Sequence, residues 1–343
     1  MNTRKTVGRF PALALAAMFA AGPAGVAAAA TTLVGAGATF PYPIYSKWFD
    51  EYQKVRPDVQ INYQSIGSGG GIRQITARTV DFGASDGPMT SAQLFAVDGK
   101  VLHLPTVLGG VVIVFNLPGV DALSLTGEVL ADIFLGKIKS WSDPAIAALN
   151  AGVNLPNSPI TVVHRSDGSG TTFCLVDYLS KVSAAWLKRA GRGTSVNWPV
   201  GLGGKGNEGV AGLVKQTPYA IGYVELIYAD QNHLSYAAIR NLAGKFVKAS
   251  TASVTAAAAG TAAAMPKDFR VSITNAAGDD AYPISTYTWL LIYQSNPGSK
   301  GEILKGFLRW MLKDGQAMAS GLGYAPLPDS VNAMVAKAVE TIR

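Results

Sequence analysis

The chain has one cysteine, Cys174, among its 343 residues, and three histidines, His103, His164 and His233. A lone cysteine cannot close an intramolecular disulfide, and histidines this far apart offer no metal-ligand spacing. No metal and no cofactor are expected. Cys174 lies between Phe173 and Leu175, which suits a packed small hydrophobe better than a reactive thiol. Charge is sparse as well, at 15% of residues. The Lys and Arg residues are scattered without a stripe or run, so no nucleic-acid partner is expected. Long apolar runs are missing after the first thirty residues. Ala256 to Ala264 is alanine-rich but too short to span a bilayer, and it reads as a helix at a solvent edge. No internal repeat is visible.

The first thirty residues stand apart. Arg4, Lys5 and Arg9 make a basic start, Pro11 to Ala21 a short apolar stretch, and Val26 to Ala30 a run of small residues. This is the plan of a secretory signal peptide, 1–30, cleaved near Ala30, with an uncleaved anchor as the alternative. The segment contains no cysteine, so no lipid anchor is expected. A freely soluble exported protein is expected. Part of the net charge of +7 then belongs to the signal, which carries cations and no anion.

From Thr32 onward, strand, turn and helix patterns alternate. Thr32 to Val34 reads as a strand and Gly35 to Phe40 as the turn after it. Tyr45, Trp48, Phe49 and Tyr52 form one face of a helix opened by Pro41 and Pro43. Val59, Ile61 and Tyr63 alternate as a strand, followed by a glycine-rich turn from Ser65 to Gly71 and a helix from Ile72. Phe82 to Ser85 is a strand that stops at Asp86, and Thr90 opens a short helix with Leu94 and Phe95 inward. Val101 to Pro105 and Val111 to Phe115 read as two strands joined through Gly109 and Gly110. Ile160 to Val163 is the strand before Arg165, and Thr171 to Trp186 the helix after it. Repeated units of this kind imply an α/β class with mostly parallel sheets flanked by helices. Such sheets gather ligands at the carboxyl ends of their strands.

Three of the turns share one chemistry. Those at Thr39-Phe40, Ser68-Gly69 and Ser169-Gly170-Thr171 each set a small hydroxyl beside backbone N–H groups, just before a helix. A helix start leaves N–H donors unpaired and carries partial positive charge, which suits an anion. Any one of them alone is an ordinary N-cap. Arg165 adds a planar donor fork for an oxyanion. Asp167, two residues on, can pair with that guanidinium and aim it. Asp86 is repulsive in an anion site unless the ligand carries a proton, because an ionised carboxylate only accepts hydrogen bonds. It would then admit a protonated phosphate and reject a fully ionised sulfate. The alternative is a turn residue before Gly87-Pro88.

Other patterns mislead. Gly201 to Gly206 matches G-x-G-x-x-G, but Trp198-Pro199 precedes it, and Lys205 is followed by glycine rather than Ser or Thr, so neither a dinucleotide fingerprint nor a P-loop is expected. His164, Asp167 and Ser169 suggest a hydrolase triad, yet they are nearly consecutive and no G-x-S-x-G surrounds Ser169. Glu208 and Asp86 have nothing in the sequence to bring them together as an acid–base pair.

The runs Gly35 to Pro41, Ile66 to Gly71, Val80 to Asp86, Pro105 to Val107, Asp167 to Thr171 and Gly201 to Asn207 occur in this order, with Ala281 to Ile284 and Leu327 to Ser330 further on. Together they resemble the periplasmic phosphate-binding proteins of ABC-type phosphate importers, over nearly all of the chain after the signal. The resemblance implies a two-lobed, type II-like periplasmic-binding-protein fold with the ligand between the lobes. Lobe 1 would take residues 31–107 and 284–343, and lobe 2 residues 108–283. It implies a periplasmic, non-enzymatic receptor that captures inorganic phosphate for an inner-membrane ABC phosphate permease; a monomer is expected. Phosphate contacts would fall on Thr39, the Phe40 N–H, Ser68, Asp86, Arg165, Ser169, Gly170 and Thr171, with Asp167 orienting Arg165. Gly69 stands where the family often has a second serine. The rival expectations are a receptor for another tetrahedral oxyanion such as sulfate, and a phosphatase using Ser169.

Overall fold

The computed structural model describes residues 1–3, 6, 8 and 30–343, so the expected signal lies almost wholly outside the described residues. Strand β1 (Thr31–Gly37) leads through Thr39 and Phe40 into helix α1 (Tyr42–Val55), which buries Tyr45, Trp48, Phe49 and Tyr52 as its periodicity predicts. Strand β2 (Val59–Ser65) leads to α2 (Ser68–Thr76), and β3 (Phe82–Ser85) leads through Asp86 to the short α3 (Ser91–Phe95). β4 (Val101–Phe115) follows, then β5 (Ser124–Leu125), α4 (Gly127–Phe134) and α5 (Pro144–Ala147). β6 (Thr161–Arg165) feeds α6 (Gly170–Val182) and α7 (Ala184–Arg189). β7 (Leu202–Gly204), α8 (Gly206–Gln216), β8 (Ala220–Glu225) and α9 (Leu226–Asn232) come next. β9 (Ser235–Tyr236), β10 (Ala238–Arg240), β11 (Phe246–Val247) and α10 (Thr251–Ala262) precede the return strand β12 (Ser285–Tyr293). Helices α11 (Ser299–Trp310) and α12 (Asp329–Val339) finish the chain.

The main sheet runs β2-β1-β3-β12-β4-β8-β6-β7, with β9 beside β4. Its two ends are parallel: β1 with β2 and β3, and β6 with β7 and β8. Its middle is antiparallel, where β12 pairs with β3 and β4, and β4 with β8. The two expected sheets are therefore the two halves of one sheet that share β4. That strand is the reason the halves are joined. Its 15 residues span about 50 Å at an ordinary strand rise, enough to serve both halves. Val101 to Pro105 and Val111 to Phe115 are not separate strands, because Gly109 and Gly110 between them stay extended and pair with Thr286 and Ser285 of β12. These glycines answer a packing demand. A Cβ on Gly109 would lie 2.6 Å from the Phe40 ring, and one on Gly110 3.3 Å from the Tyr282 ring.

Several other expectations shift for similar reasons. Gly35 to Gly37 belongs to β1 rather than to a turn, because Phe82 and Ala84 of β3 press directly on these glycines. α2 starts at Ser68, inside the expected glycine-rich turn, with Gly67 as its cap at φ +84°. A Cβ on Gly71 would sit 2.7 Å from the main-chain oxygens of both Ala36 and Ala84, so glycine lets α2 seat directly on β1 and β3. Phe95, expected inward, is exposed, since α3 is a single turn held by its Thr90 capping box and buries none of its residues. The helix expected from Thr171 to Trp186 breaks at Ser183, which ends α6 in an extended conformation and caps α7 through its side chain. α10 is only half at the solvent edge, because Val254, Ala257 and Ala258 are fully buried. Cys174 packs in the core, where burial pushes its thiol well above the usual range. Among the described residues, no helix is long and apolar enough to cross a membrane.

The consequence is positional. The ends of β1, β2 and β3 place Thr39, Ser68 and Asp86 on one side of the shared strand. The end of β6 places Arg165 to Thr171 on the other. Gly71→Ala should lower unfolding stability by about 1–3 kcal/mol, the usual range for overpacking, in urea melts. A midpoint equal to that of the parent chain would contradict the packing account of α2.

Candidate functional site

Asp86 is the centre of one jaw. Its carboxyl is 1% exposed. Oδ1 accepts from the Thr288 hydroxyl at 2.8 Å, and Oδ2 lies 3.4 Å from Ser68 Oγ. Burial raises the carboxyl to about 7, opposed by the Thr288 hydrogen bond, the Arg165 charge and the Ser68 hydroxyl. Ser68 Oγ itself accepts two main-chain N–H groups, from Asp86 at 3.2 Å and from Gly170 at 3.0 Å. A hydroxyl has two acceptor sites and one proton, so Ser68 is left as a donor. The Gly170 bond comes from the opposite half, at the start of α6. The fit is close: a Cβ on Gly170 would lie 2.6 Å from Asp86 N. Gly69 N donates to Gly168 O at 2.8 Å beside it. The two jaws are shut against each other.

The second jaw is built on Arg165. Its side chain is 1% exposed and makes a two-pronged pair with Asp167, Nε to Oδ1 at 2.7 Å and Nη2 to Oδ2 at 2.6 Å. Burial alone would raise Asp167, but the Arg165 hydrogen bonds and charge, with the Gly206 N–H, hold it below the ordinary aspartate value. Gly206 reaches Asp167 Oδ1 at 3.0 Å from a left-handed conformation, φ +71°. The misleading glycine motif thus buttresses the arginine's partner. The free face of the guanidinium turns to Thr171, with Nη1 3.3 Å from Oγ1. Tyr223 OH accepts the Arg165 N–H at 3.0 Å and meets Thr172 Oγ1 at 2.7 Å, tying the end of β6 to the start of α6.

Every expected site residue lies in this one buried junction. Thr39 is 3% exposed and joins the second jaw through Asn207, whose Nδ2 is 2.7 Å from Thr39 Oγ1. Phe40 anchors below it, its carbonyl accepting from Tyr324 OH at 2.6 Å. Ser169 caps α6, with Oγ accepting from Thr172 N at 3.0 Å. That is the capping role and it still leaves the hydroxyl proton free. The local sequence marks no site role for Asn207, Thr288, Tyr223, Tyr228 or Tyr324. Asn207 was visible only as the end of the glycine motif, and Thr288 only as a polar residue in an apolar strand.

The hydrolase arrangement is not assembled. His164 Nδ1 faces its neighbour's carbonyl, Arg165 O, at 3.0 Å, and its ring stacks on Trp198 with centroids 4.9 Å apart. Asp167 is committed to Arg165, and Ser169 Oγ to Thr172 N. Glu208 lies beside Tyr228 OH at 3.4 Å, not beside Asp86. Among the described residues, no cluster of His, Cys, Asp and Glu could hold a metal ion.

A two-lobed α/β fold sharing long central strands, with helix starts, hydroxyls and one paired arginine facing each other between the lobes, defines a hinged solute receptor for a small oxyanion. The comparisons narrow this. A family model described as the PBP superfamily domain matches residues 22–314. The phosphate-binding protein PstS of Pasteurella multocida is 52% identical over 307 residues, covering 88% of each chain. That of Xylella fastidiosa is 49% identical, over 87% of this chain and 82% of its own. A solved phosphate-binding protein from Stenotrophomonas maltophilia superposes with a TM-score of 0.67 at 22% identity, over 90% of this chain and 94% of that one. The chain belongs to the PstS family within the PBP superfamily. It is a binding protein and not an enzyme.

The raised carboxyl of Asp86 ties the stability of the shut protein to pH. The folded-state value is raised from 3.8 to about 7, so the native carboxyl holds a proton that the unfolded chain has lost. Stability must therefore fall as pH rises through that window, by up to about 1.4 kcal/mol per pH unit, and level off above it. Thermal melts of the protein minus those of Asp86→Asn, recorded side by side in one phosphate-free buffer series, should trace this decline between pH 4 and 7. A difference that does not change with pH would contradict the buried carboxyl.

Proposed function

We propose that this chain is a periplasmic receptor for inorganic phosphate that works as a monomer and delivers its ligand to an inner-membrane ABC phosphate permease. The names of the relatives support the ligand. The observation that carries the reading is Asp86, a buried carboxyl between the jaws, facing N–H and hydroxyl donors and a charge-balanced arginine. A site of donors alone would suit any tetrahedral oxyanion. One acceptor among them suits an oxyanion that has a proton to give, as phosphate does near neutral pH and sulfate does not.

In this reading the contacts are Thr39, the Phe40 N–H, Ser68 and Asp86 on one lobe, and Arg165, Ser169, Gly170 and Thr171 on the other. An anion seated between the jaws takes over the Ser68 hydroxyl proton and shares the Gly170 N–H, which here donates to Ser68. Asp167 keeps Arg165 aimed and half neutralised. Lobe 1 comprises residues 31–107 and 284–343 and lobe 2 residues 108–283, so closure stabilises the bound state through contacts made to both. A cleaved signal at 1–30 accounts for export.

The test is calorimetry on anion-stripped protein. Phosphate should bind, and sulfate at equal concentration should not displace it. Asp86→Asn should narrow the preference for phosphate over sulfate by at least about tenfold, because the uncharged amide no longer repels an anion without a proton. An unchanged ratio, or displacement of phosphate by sulfate from the parent protein, would overturn the assigned role of Asp86.

A further inference from the structure

Asn207 is fully buried at the second position of α8, and it touches both jaws. Its Oδ1 accepts the main-chain N–H of Glu225 at 3.0 Å. A main-chain N–H can only donate, which fixes the amide's orientation and leaves both Nδ2 hydrogens facing the site. One goes to Thr39 Oγ1 at 2.7 Å and the other to Thr171 Oγ1 at 3.3 Å. Thr39 Oγ1 also accepts the Asn207 main-chain N–H at 3.3 Å. Thr171 Oγ1 also accepts Arg165 Nη1 at 3.3 Å. Each hydroxyl therefore has both acceptor positions filled by protein N–H groups. The single proton of each has to point elsewhere.

We infer that Asn207 is a positioning residue that sets the polarity of the site, compelling the Thr39 and Thr171 hydroxyls to present protons to a bound anion; the inference rests on the phosphate reading above. Without Asn207 either hydroxyl could rotate and offer a lone pair, which repels an anion. The amide achieves this without adding charge, so the electrostatic balance between Arg165, Asp167 and Asp86 is untouched. It also couples polarity to closure. Thr39 lies on the β1–α1 connection, whereas Asn207 and Thr171 start helices on the opposite half. The Thr39 hydroxyl is fully committed as a donor only while the halves are together. The terminal residue of the misleading glycine motif thereby acquires a use: Gly206 steadies Asp167, and the next residue orients two hydroxyls.

A double-mutant cycle read by phosphate calorimetry separates this from simple packing. Asn207→Leu keeps the shape and removes both donors. It should weaken phosphate binding roughly 10- to 100-fold, the worth of one hydrogen bond to a charged group. In a Thr39→Val, Thr171→Val background, which has no hydroxyl left to orient, the same change should cost at most about threefold. Equal losses in both backgrounds, or no loss in the parent, would overturn the inference. Where Asn207→Leu does not fold, Asn207→Ala removes the same donors without adding charge, and the same coupling is expected of it. A parent protein that fails to bind phosphate overturns the phosphate reading and this inference with it. Parent binding with an unaltered Asn207 variant overturns the inference alone.

Discussion

Removing a carboxylate from water is costly unless its lone pairs are taken up again by donors. Asp86 meets only part of that requirement, from Thr288 firmly and from Ser68 at long range. Its carboxyl accordingly rises to about 7. The arrangement makes sense once a proton is brought by the ligand. A protonated oxyanion supplies the missing donor and lets Asp86 stay ionised beside it. In the role proposed for it, an ionised Asp86 would meet an unprotonated anion with repulsion alone. In that proposed role, selectivity rests on an incomplete set of hydrogen bonds at one buried residue.

Around that acceptor, the remaining groups are held in the opposite sense. Ser68 is filled by Asp86 N and Gly170 N, and Ser169 accepts the N–H of Thr172. The donors are pinned by the fold rather than by charge, since helix starts and strand ends supply the N–H groups. The one strong cation is kept in check: Asp167 takes two prongs of the Arg165 fork, and Gly206 steadies Asp167 in turn. A bare guanidinium would hold any oxyanion strongly and blunt the discrimination proposed for Asp86. β4 and β12 bring these layers together, because both halves of the sheet build on the same pair of long strands.

Much of this site could be read from the chain, because its chemistry is local. The spacing of Arg165 and Asp167 suggested their pairing, and the hydroxyl–glycine turns at Ser68 and Ser169 mark helix starts whose first N–H groups have no partner within their own helix. Asp86 at a strand end stood out by its sign. What stayed hidden depends on distant pairing. Thr288 reaches Asp86 from 202 residues away, and Tyr324 reaches Phe40 from 284. Nothing local marks either contact. Glycine caused the main errors of architecture. Gly109 and Gly110 looked like a break between strands, and the run before Gly71 looked like a loop, since glycine commonly interrupts regular structure. Here it serves close approach instead, against the Phe40 and Tyr282 rings in one case and against the Ala36 and Ala84 oxygens in the other.

In the proposed reading, the site presents protons everywhere except at Asp86. Neutron diffraction from deuterated crystals of the protein with phosphate would locate those protons directly. Deuterium is expected on Thr39, Ser68, Ser169 and Thr171 pointing at phosphate oxygens, with one phosphate-borne deuterium lying toward an Asp86 oxygen. A hydroxyl deuterium turned to a protein acceptor, or a protonated Asp86 donating to a fully ionised phosphate, would contradict it.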